Sequence, residues 1–232
     1  MADTTLVLFD IDGTLIQSGR AGVRGMNLAF ERLHGRPRAL EGVLVAGRTD
    51  RAIVAEVMRT LGFEPTAERI AELRDAYFEH LRTELHRVVP EPSGVLPGVV
   101  ALIDQLERHP GIVVGLLTGN FHGGAVIKLG HFDLWHRFRF GAFGDDHFDR
   151  RELVPVALEK AREAGVSLRG PERIVVIGDT PLDVDCAKAN GSRVLAVATG
   201  LYDSDTLRAT GADFTVNTLE DTDTIGQWIL ST

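Results

Sequence analysis

The sequence predicts an α/β fold: a doubly wound, Rossmann-like parallel sheet interrupted once by an all-helical insertion. Three observations carry that expectation. Apolar runs without polar alternation recur along the chain, as strands buried on both faces of a parallel sheet require. Segments with helical spacing separate them, which is the rhythm of strand, helix and strand in a doubly wound sheet. Between residues 17 and 91 helical spacing continues but no such run occurs.

The first run is Leu6-Val7-Leu8-Phe9. After it come three sets of residues with helical spacing: Met26, Ala29, Phe30, Leu33; Ile53, Val54, Val57, Met58, Leu61; and Ile70, Leu73, Tyr77, Leu81, Leu85. The stretch from Gly19 to Gly25 leads into this region, and Pro90, Pro92, Gly94, Pro97 and Gly98 lead out of it, a composition suited to linkers. Residues 17–91 are therefore expected to form a helical cap, and residues 1–16 with 92–232 an α/β core. Further strands are expected at Ile112–Leu117, Ile174–Ile177 and Val194–Ala198, with a shorter one at Phe214–Val216. A helix runs from Leu153 to Ala164, with Gly165 as its stop. Another begins with Thr180 as cap and Pro181 in its first turn, and ends at Asn190-Gly191. Trp135, Phe138, Phe140 and Phe143 read as core or sheet edge.

The 232 residues carry a net charge of −8, 44% apolar residues and a single cysteine. One cysteine closes no intramolecular bridge, so a disulfide framework is excluded, and Cys186 reads as a packed thiol. The acidic balance argues against a nucleic-acid partner or an anionic membrane surface, and means that any anion site must be built locally. No apolar run approaches the roughly 18 residues of a membrane span, and Met1-Ala2-Asp3-Thr4-Thr5 lacks a basic leader, so a cytoplasmic protein is expected. Oligomeric state is not legible.

Ligands of such sheets bind beyond the carboxyl ends of the strands, and three short motifs fall there. Asp10-Ile11-Asp12-Gly13-Thr14 places two carboxylates two residues apart, projecting the same way if the strand continues. Two like charges so close call for a cation or a shared proton, and a hard ion such as Mg2+ fits; alternatively Asp12-Gly13-Thr14 is a plain turn. Thr118-Gly119-Asn120 offers a hydroxyl, close backbone approach and amides before a helix, a phosphate cradle, although Asn120 also suits a helix cap. Gly178-Asp179 precedes the Thr180 cap and leaves the Asp179 carboxylate needing a partner, whereas Asp183 stands where a capping acid would.

Phe9-Asp10-Ile11-Asp12-Gly13-Thr14-Leu15, Thr118 after the second run and Gly178-Asp179 with Asp183 together resemble the motif set of the haloacid dehalogenase superfamily of aspartate-nucleophile hydrolases. With the helical insertion, the pattern is most similar to its phosphoglycolate-phosphatase-like branch. The resemblance implies a Mg2+-dependent phosphatase acting on a small phosphorylated metabolite. Asp10 would be the nucleophile that forms an aspartyl-phosphate, and Asp12 the acid and base. The carboxylates of Asp10 and Asp179 and the Asp12 carbonyl would hold Mg2+, with Asp183 in support. Thr118, Gly119 and Asn120 would bind phosphoryl oxygens.

One feature departs from that pattern. The family's lysine ahead of the last acidic motif is missing from Asp149-Arg150-Arg151-Glu152, where Arg150, or Arg151 beside it, is the expected substitute. Gly47-Arg48-Thr49-Asp50 offers Arg48 and Thr49 as leaving-group contacts, or else a helix start capped by Thr49 or Asp50. His122 lies close after Asn120, but no histidine spacing suggests zinc. The rival readings are a phosphomutase on the same scaffold and a non-catalytic module binding a phosphorylated ligand or a protein.

Overall fold

The computed structural model describes residues 4–167 and 173–231; the start Met1-Ala2-Asp3 lies outside them. Six strands form one all-parallel sheet: β1 (Thr5–Phe9), β4 (Ile112–Leu117), β5 (Gly141–Ala142), β6 (Ile174–Gly178), β7 (Arg193–Val197) and β8 (Phe214–Val216). Their order is β5-β4-β1-β6-β7-β8, so the doubly wound parallel sheet is borne out. β1 lies between β4 and β6, and the chain leaves it in both directions, which opens a crevice at its carboxyl end.

The apolar runs lack alternation because both faces are covered. Val7, Phe9, Leu116, Val175 and Ile177 pack on one side with Leu102 and Ile103 of α4 (Val99–Glu107), Leu129 of α5 (His122–His131) and Ile225 of α9 (Thr222–Leu230). Leu6, Leu8, Val176, Val194 and Ala196 point the other way, against α6 (Leu153–Glu163), α7 (Pro181–Ala189) and Leu207 of α8 (Ser204–Ala209). Each valine, leucine, isoleucine or phenylalanine among them contributes about 1.5–3 kcal/mol when taken out of water. Phe138 and Phe143 join the first layer, and Phe140 packs against the second.

Three helices occupy the stretch without apolar strands: α1 (Ala21–His34), α2 (Asp50–Thr60) and α3 (Ala67–Leu85). They gather a separate apolar cluster around Phe30, Met58, Leu73, Tyr77 and Leu81. Gly25 of α1 faces the Leu81 backbone of α3 so closely that a Cβ there would press on it. Both crossings between the helices and the sheet run through one small ribbon, β2 (Ile16–Ser18) paired antiparallel with β3 (Ser93–Val95). The sequence did not announce this ribbon, because three residues are too few to show a period. No described helix is long and apolar enough to cross a membrane.

Candidate active site

β1 stops at Phe9, and Asp10 follows with its amide on the Ile177 carbonyl of β6 at 2.9 Å. Gly13, at φ +81°, turns the chain back, and a Cβ at Gly13 would overlap the Asp179 carboxylate. Only glycine permits that approach, which brings the loop after β1 onto the loop after β6. Thr14 completes it, its hydroxyl donating to Asp179 Oδ1 at 3.3 Å.

Asp10, Asp179 and Asp183 meet there, each offering a carboxylate oxygen within 4.8 Å of the others. All three are buried. Arg150 supplies the facing charge: its Nη2 lies 3.2 Å from Asp10 Oδ1 and donates to Asp183 Oδ1, while its Nη1 donates to the Gly47 carbonyl at 2.9 Å. Arg150 Nε is buried without a hydrogen-bond partner. Arg151 instead pairs with Asp149 at the surface, so of the two arginines it is Arg150 that reaches the acidic cluster.

One guanidinium does not balance three buried carboxylates. Burial pushes the Asp10 pKa up to about 6; Arg150 opposes the shift, and Asp183 and then Asp12 add to it. Burial, followed by repulsion from Asp183 and Asp10, raises Asp179 well above the ordinary carboxylate range. Such a surplus of hard oxygen donors fits a divalent cation. Asp10 and Asp179 have the open oxygens for it. Asp183 accepts from Arg150 on Oδ1 and from the Thr180 amide and hydroxyl on Oδ2, closing the capping box of α7, so it is the capping acid and also a partner of Arg150.

The strand ends before Asp12, so the condition for a shared projection of the two carboxylates is not met; both line the same cavity, but Asp12 has its own partners: Lys128 Nζ at 2.5 Å and Asn120 Nδ2 at 2.9 Å on Oδ2, with the Ser18 hydroxyl at 3.4 Å from Oδ1. Its side chain is outside the carboxylate cluster, so of Asp12 only the backbone carbonyl remains a candidate metal contact.

Lys128 went unnoticed in the sequence. It sits inside α5 within a helical pattern that looked like any amphipathic face, yet it is 4% exposed and also donates to Asn120 Oδ1 at 2.6 Å. Only a motif that places a lysine ten residues after Thr118 would have signalled it. Asn120 is not a helix cap, since α5 starts after Phe121; its amide binds Asp12, Thr118 and Lys128 instead.

Thr118 is buried at the carboxyl end of β4, its hydroxyl accepting from the Asn120 amide at 3.3 Å and from Asn120 Nδ2 at 2.9 Å. Gly119 provides close approach as expected, and what approaches is the Arg48 carbonyl, which a Cβ at Gly119 would strike. Asp50, at the start of α2, donates its amide to the Gly119 carbonyl at 2.7 Å and accepts the Phe121 amide on Oδ2 at 2.9 Å. Burial raises the Asp50 pKa to about 6 against the pull of Lys128.

Thr49 is a correction. Its hydroxyl caps α2 through the Ala52 amide and donates to the Phe148 carbonyl at 2.8 Å, so it serves the helix and does not line the cavity. Arg48 does line it, with its guanidinium held by Glu56 and the Leu44 carbonyl. His122 meets Trp135 and Phe143 edge to face and does not line the cavity. The Cys186 thiol is buried and donates to the Arg150 carbonyl at 3.0 Å, a packed group as expected.

Asp10, Asp12, Thr118, Gly119, Asn120, Lys128, Arg150 and Asp179 all open onto one cavity of about 570 Å3, roofed by Arg48, Asp50, Tyr77 and neighbouring residues of the helical insertion. It is a buried anionic pole set beside two cations, with Thr118, Gly119 and Asn120 lining the same space.

Comparison with known proteins agrees with this arrangement. A family model described as haloacid dehalogenase-like hydrolase matches residues 7–188. Phosphoglycolate phosphatase 1 of Pseudomonas aeruginosa is 31% identical over 84% of this chain and 70% of its own length. A phosphoglycolate phosphatase of Cereibacter sphaeroides is 28% identical over 81% of this chain and 82% of its own. Both fit the branch that the motifs resemble. Among solved structures, a hydrolase from Pseudomonas syringae superposes with a TM-score of 0.70 at 21% identity, covering 98% of this chain and 99% of that one. CbbY from Rhodobacter sphaeroides in complex with phosphate gives 0.67 at 21% identity, over 94% and 96%. These two share the fold. The family match spans the first and last acidic motifs and everything between them, and the chain belongs to the haloacid dehalogenase-like hydrolase family.

Proposed function

We propose that this chain is a Mg2+-dependent phosphatase that hydrolyses a small phosphomonoester through an aspartyl-phosphate on Asp10. The carrying observation is the buried Asp10 carboxylate, next to Asp179, gripped by Arg150 and open to the same cavity as Thr118. Its relatives named phosphoglycolate phosphatase support the phosphomonoester class.

Asp10 and Asp179, with the Asp12 carbonyl, would hold the metal, and Asp183 would steady Arg150 beneath them. Mg2+ when bound neutralises phosphoryl charge, so that an anionic ester tolerates an anionic nucleophile. Thr118 and the amides of Gly119 and Asn120 orient the phosphoryl oxygens. An Asp10 oxygen forms a bond to phosphorus while the bond to the ester oxygen breaks, and Asp12 gives that oxygen its proton. Water then attacks the phosphorus, returns a proton to Asp12, and releases phosphate from Asp10. Lys128 and Asn120 hold the Asp12 carboxyl in position for both transfers.

Residues 17–91 act as the cap over a core of residues 1–16 and 92–232, a small cytoplasmic metabolite being the substrate. The test is phosphate release from p-nitrophenyl phosphate with Mg2+ and with EDTA. Wild-type protein should turn over only with the metal, and Asp10→Asn should lose turnover while still folding; unchanged turnover in that variant removes the nucleophile.

A further inference from the structure

The structure points to a neutral, largely apolar alcohol as the leaving group, so that this site disfavours a leaving group carrying a carboxylate. We infer this on top of the phosphatase reading, as the substrate class of the same site. It sets this chain apart from relatives named for phosphoglycolate.

Size is the first ground. The cavity of about 570 Å3 lies within the roughly 300–1,000 Å3 of sites that enclose a ligand of drug size. A phosphoryl group needs only the end where Asp10, Thr118 and Arg150 converge. The remainder reaches up into the helical insertion, where the lining is mostly apolar: Val23 and Met26 of α1, Leu40, Val45, and Ile53 of α2, with Ile16 below them, interrupted by polar groups such as Gln17, Tyr77 and Glu91. The apolar side chains offer a leaving group dispersion contact and removal from water, and no hydrogen bond.

Charge is the second ground. Every buried or half-buried cation at that end is already committed. Lys128 spends its ammonium on Asp12 and Asn120, with the Asp50 carboxylate close enough to feel its charge. Arg48 is held by Glu56, and Arg24, behind the wall, by Glu84 and the Gly19 carbonyl. Arg20 lines the mouth but stands exposed, where water screens it. A ligand carboxylate at Lys128 would be a third anion around one ammonium, set against aliphatic walls that cannot replace its hydration. An alkyl group meets no such penalty.

The experiment measures kcat/KM with saturating Mg2+ for methyl, ethyl, propyl, butyl and hexyl phosphate, and compares phosphoglycolate with isobutyl phosphate, in which two methyl groups replace the carboxylate oxygens. Each added methylene should raise kcat/KM about fourfold until the walls are covered. Isobutyl phosphate should exceed phosphoglycolate at least tenfold, a discrimination within reach of an apolar pocket. In Val45→Lys, which adds a cation to the wall, the ratio of isobutyl phosphate to phosphoglycolate should fall tenfold or more. A series that is hydrolysed but flat in chain length, or a wild-type preference for phosphoglycolate, overturns the inference and leaves the phosphatase reading standing. Failure to hydrolyse any ester with Mg2+ removes both.

Discussion

Replacing Arg150 separates two things that its guanidinium does at once. One nitrogen faces Asp10 and Asp183, and the other holds the Gly47 carbonyl of the helical insertion. Arg150→Met leaves two buried carboxylates without their cation, and breaking a buried pair from one side costs about 3–5 kcal/mol. For a chain of this size that corresponds to a Tm lowered by about 6–20 °C. Arg150→Lys keeps a charge beside both carboxylates but has no second arm for Gly47, and one neutral hydrogen bond contributes about 0.5–1.5 kcal/mol, so its Tm should drop by only about 1–6 °C. The assay is thermal unfolding followed by circular dichroism, first in EDTA and then with excess Mg2+. The Met variant should recover part of its loss with the metal, which compensates Asp10, one of the two carboxylates left without a cation. A Met variant within 2 °C of wild type in EDTA, about the effect of a single surface contact, refutes the charge argument. So does a Lys variant as unstable as the Met one.

Three other outcomes follow from the same site. In EDTA, Asp10→Asn should be more stable than wild type above pH 7, because ionising Asp10 costs more in the fold than in the open chain; the folded pKa of about 6 lies above the unfolded value of 3.8, so the advantage shrinks as pH falls through about 6 and is gone below 3.8. A constant difference across a pH series of Tm values would contradict the burial of that carboxylate. Mg2+ should raise the wild-type Tm, and Asp179→Asn should abolish the shift, read as Tm against metal concentration. Lys128→Met should cut kcat at least tenfold with Mg2+ binding retained, because Asp12 loses the grip that points it at the leaving oxygen; a rise in KM and loss of the Mg2+ shift beside the fall in kcat would instead indicate general collapse of the cavity.

The sheet was legible because burial on both faces leaves an uninterrupted apolar record, as in Ile174–Ile177, and that record needs no partner to be read. The strand-end acids were legible for a related reason: Asp10 and Asp179 interrupt apolar sequence where a sheet presents ligands. What escaped depends on direction in space. The spacing of Asp10 and Asp12 suggests a common side only while the strand continues, and β1 ends at Phe9, leaving the two carboxylates with different partners. Lys128 and Asp50 looked like ordinary helical polar residues, since nothing local marks a side chain that will face the loop of another unit. Thr49 carried two readings that composition cannot divide, and the helix start used it. β2 and β3 are pairings between distant segments too short for a pattern.

The junction at residues 47–51 also sets how firmly the helical insertion sits on the sheet. Five hydrogen bonds fasten this segment to the sheet loops: Asp50 to Gly119, Phe121 to Asp50, Thr49 to Phe148, Arg51 to Asp145 and Arg150 to Gly47. At about 0.5–1.5 kcal/mol each, they contribute about 2.5–7.5 kcal/mol to seating the helices on the sheet loops. Weakening a single tie, for instance with Thr49→Val, should loosen that seat without touching a reacting atom, which makes the position of the roof adjustable at a distance from the chemistry.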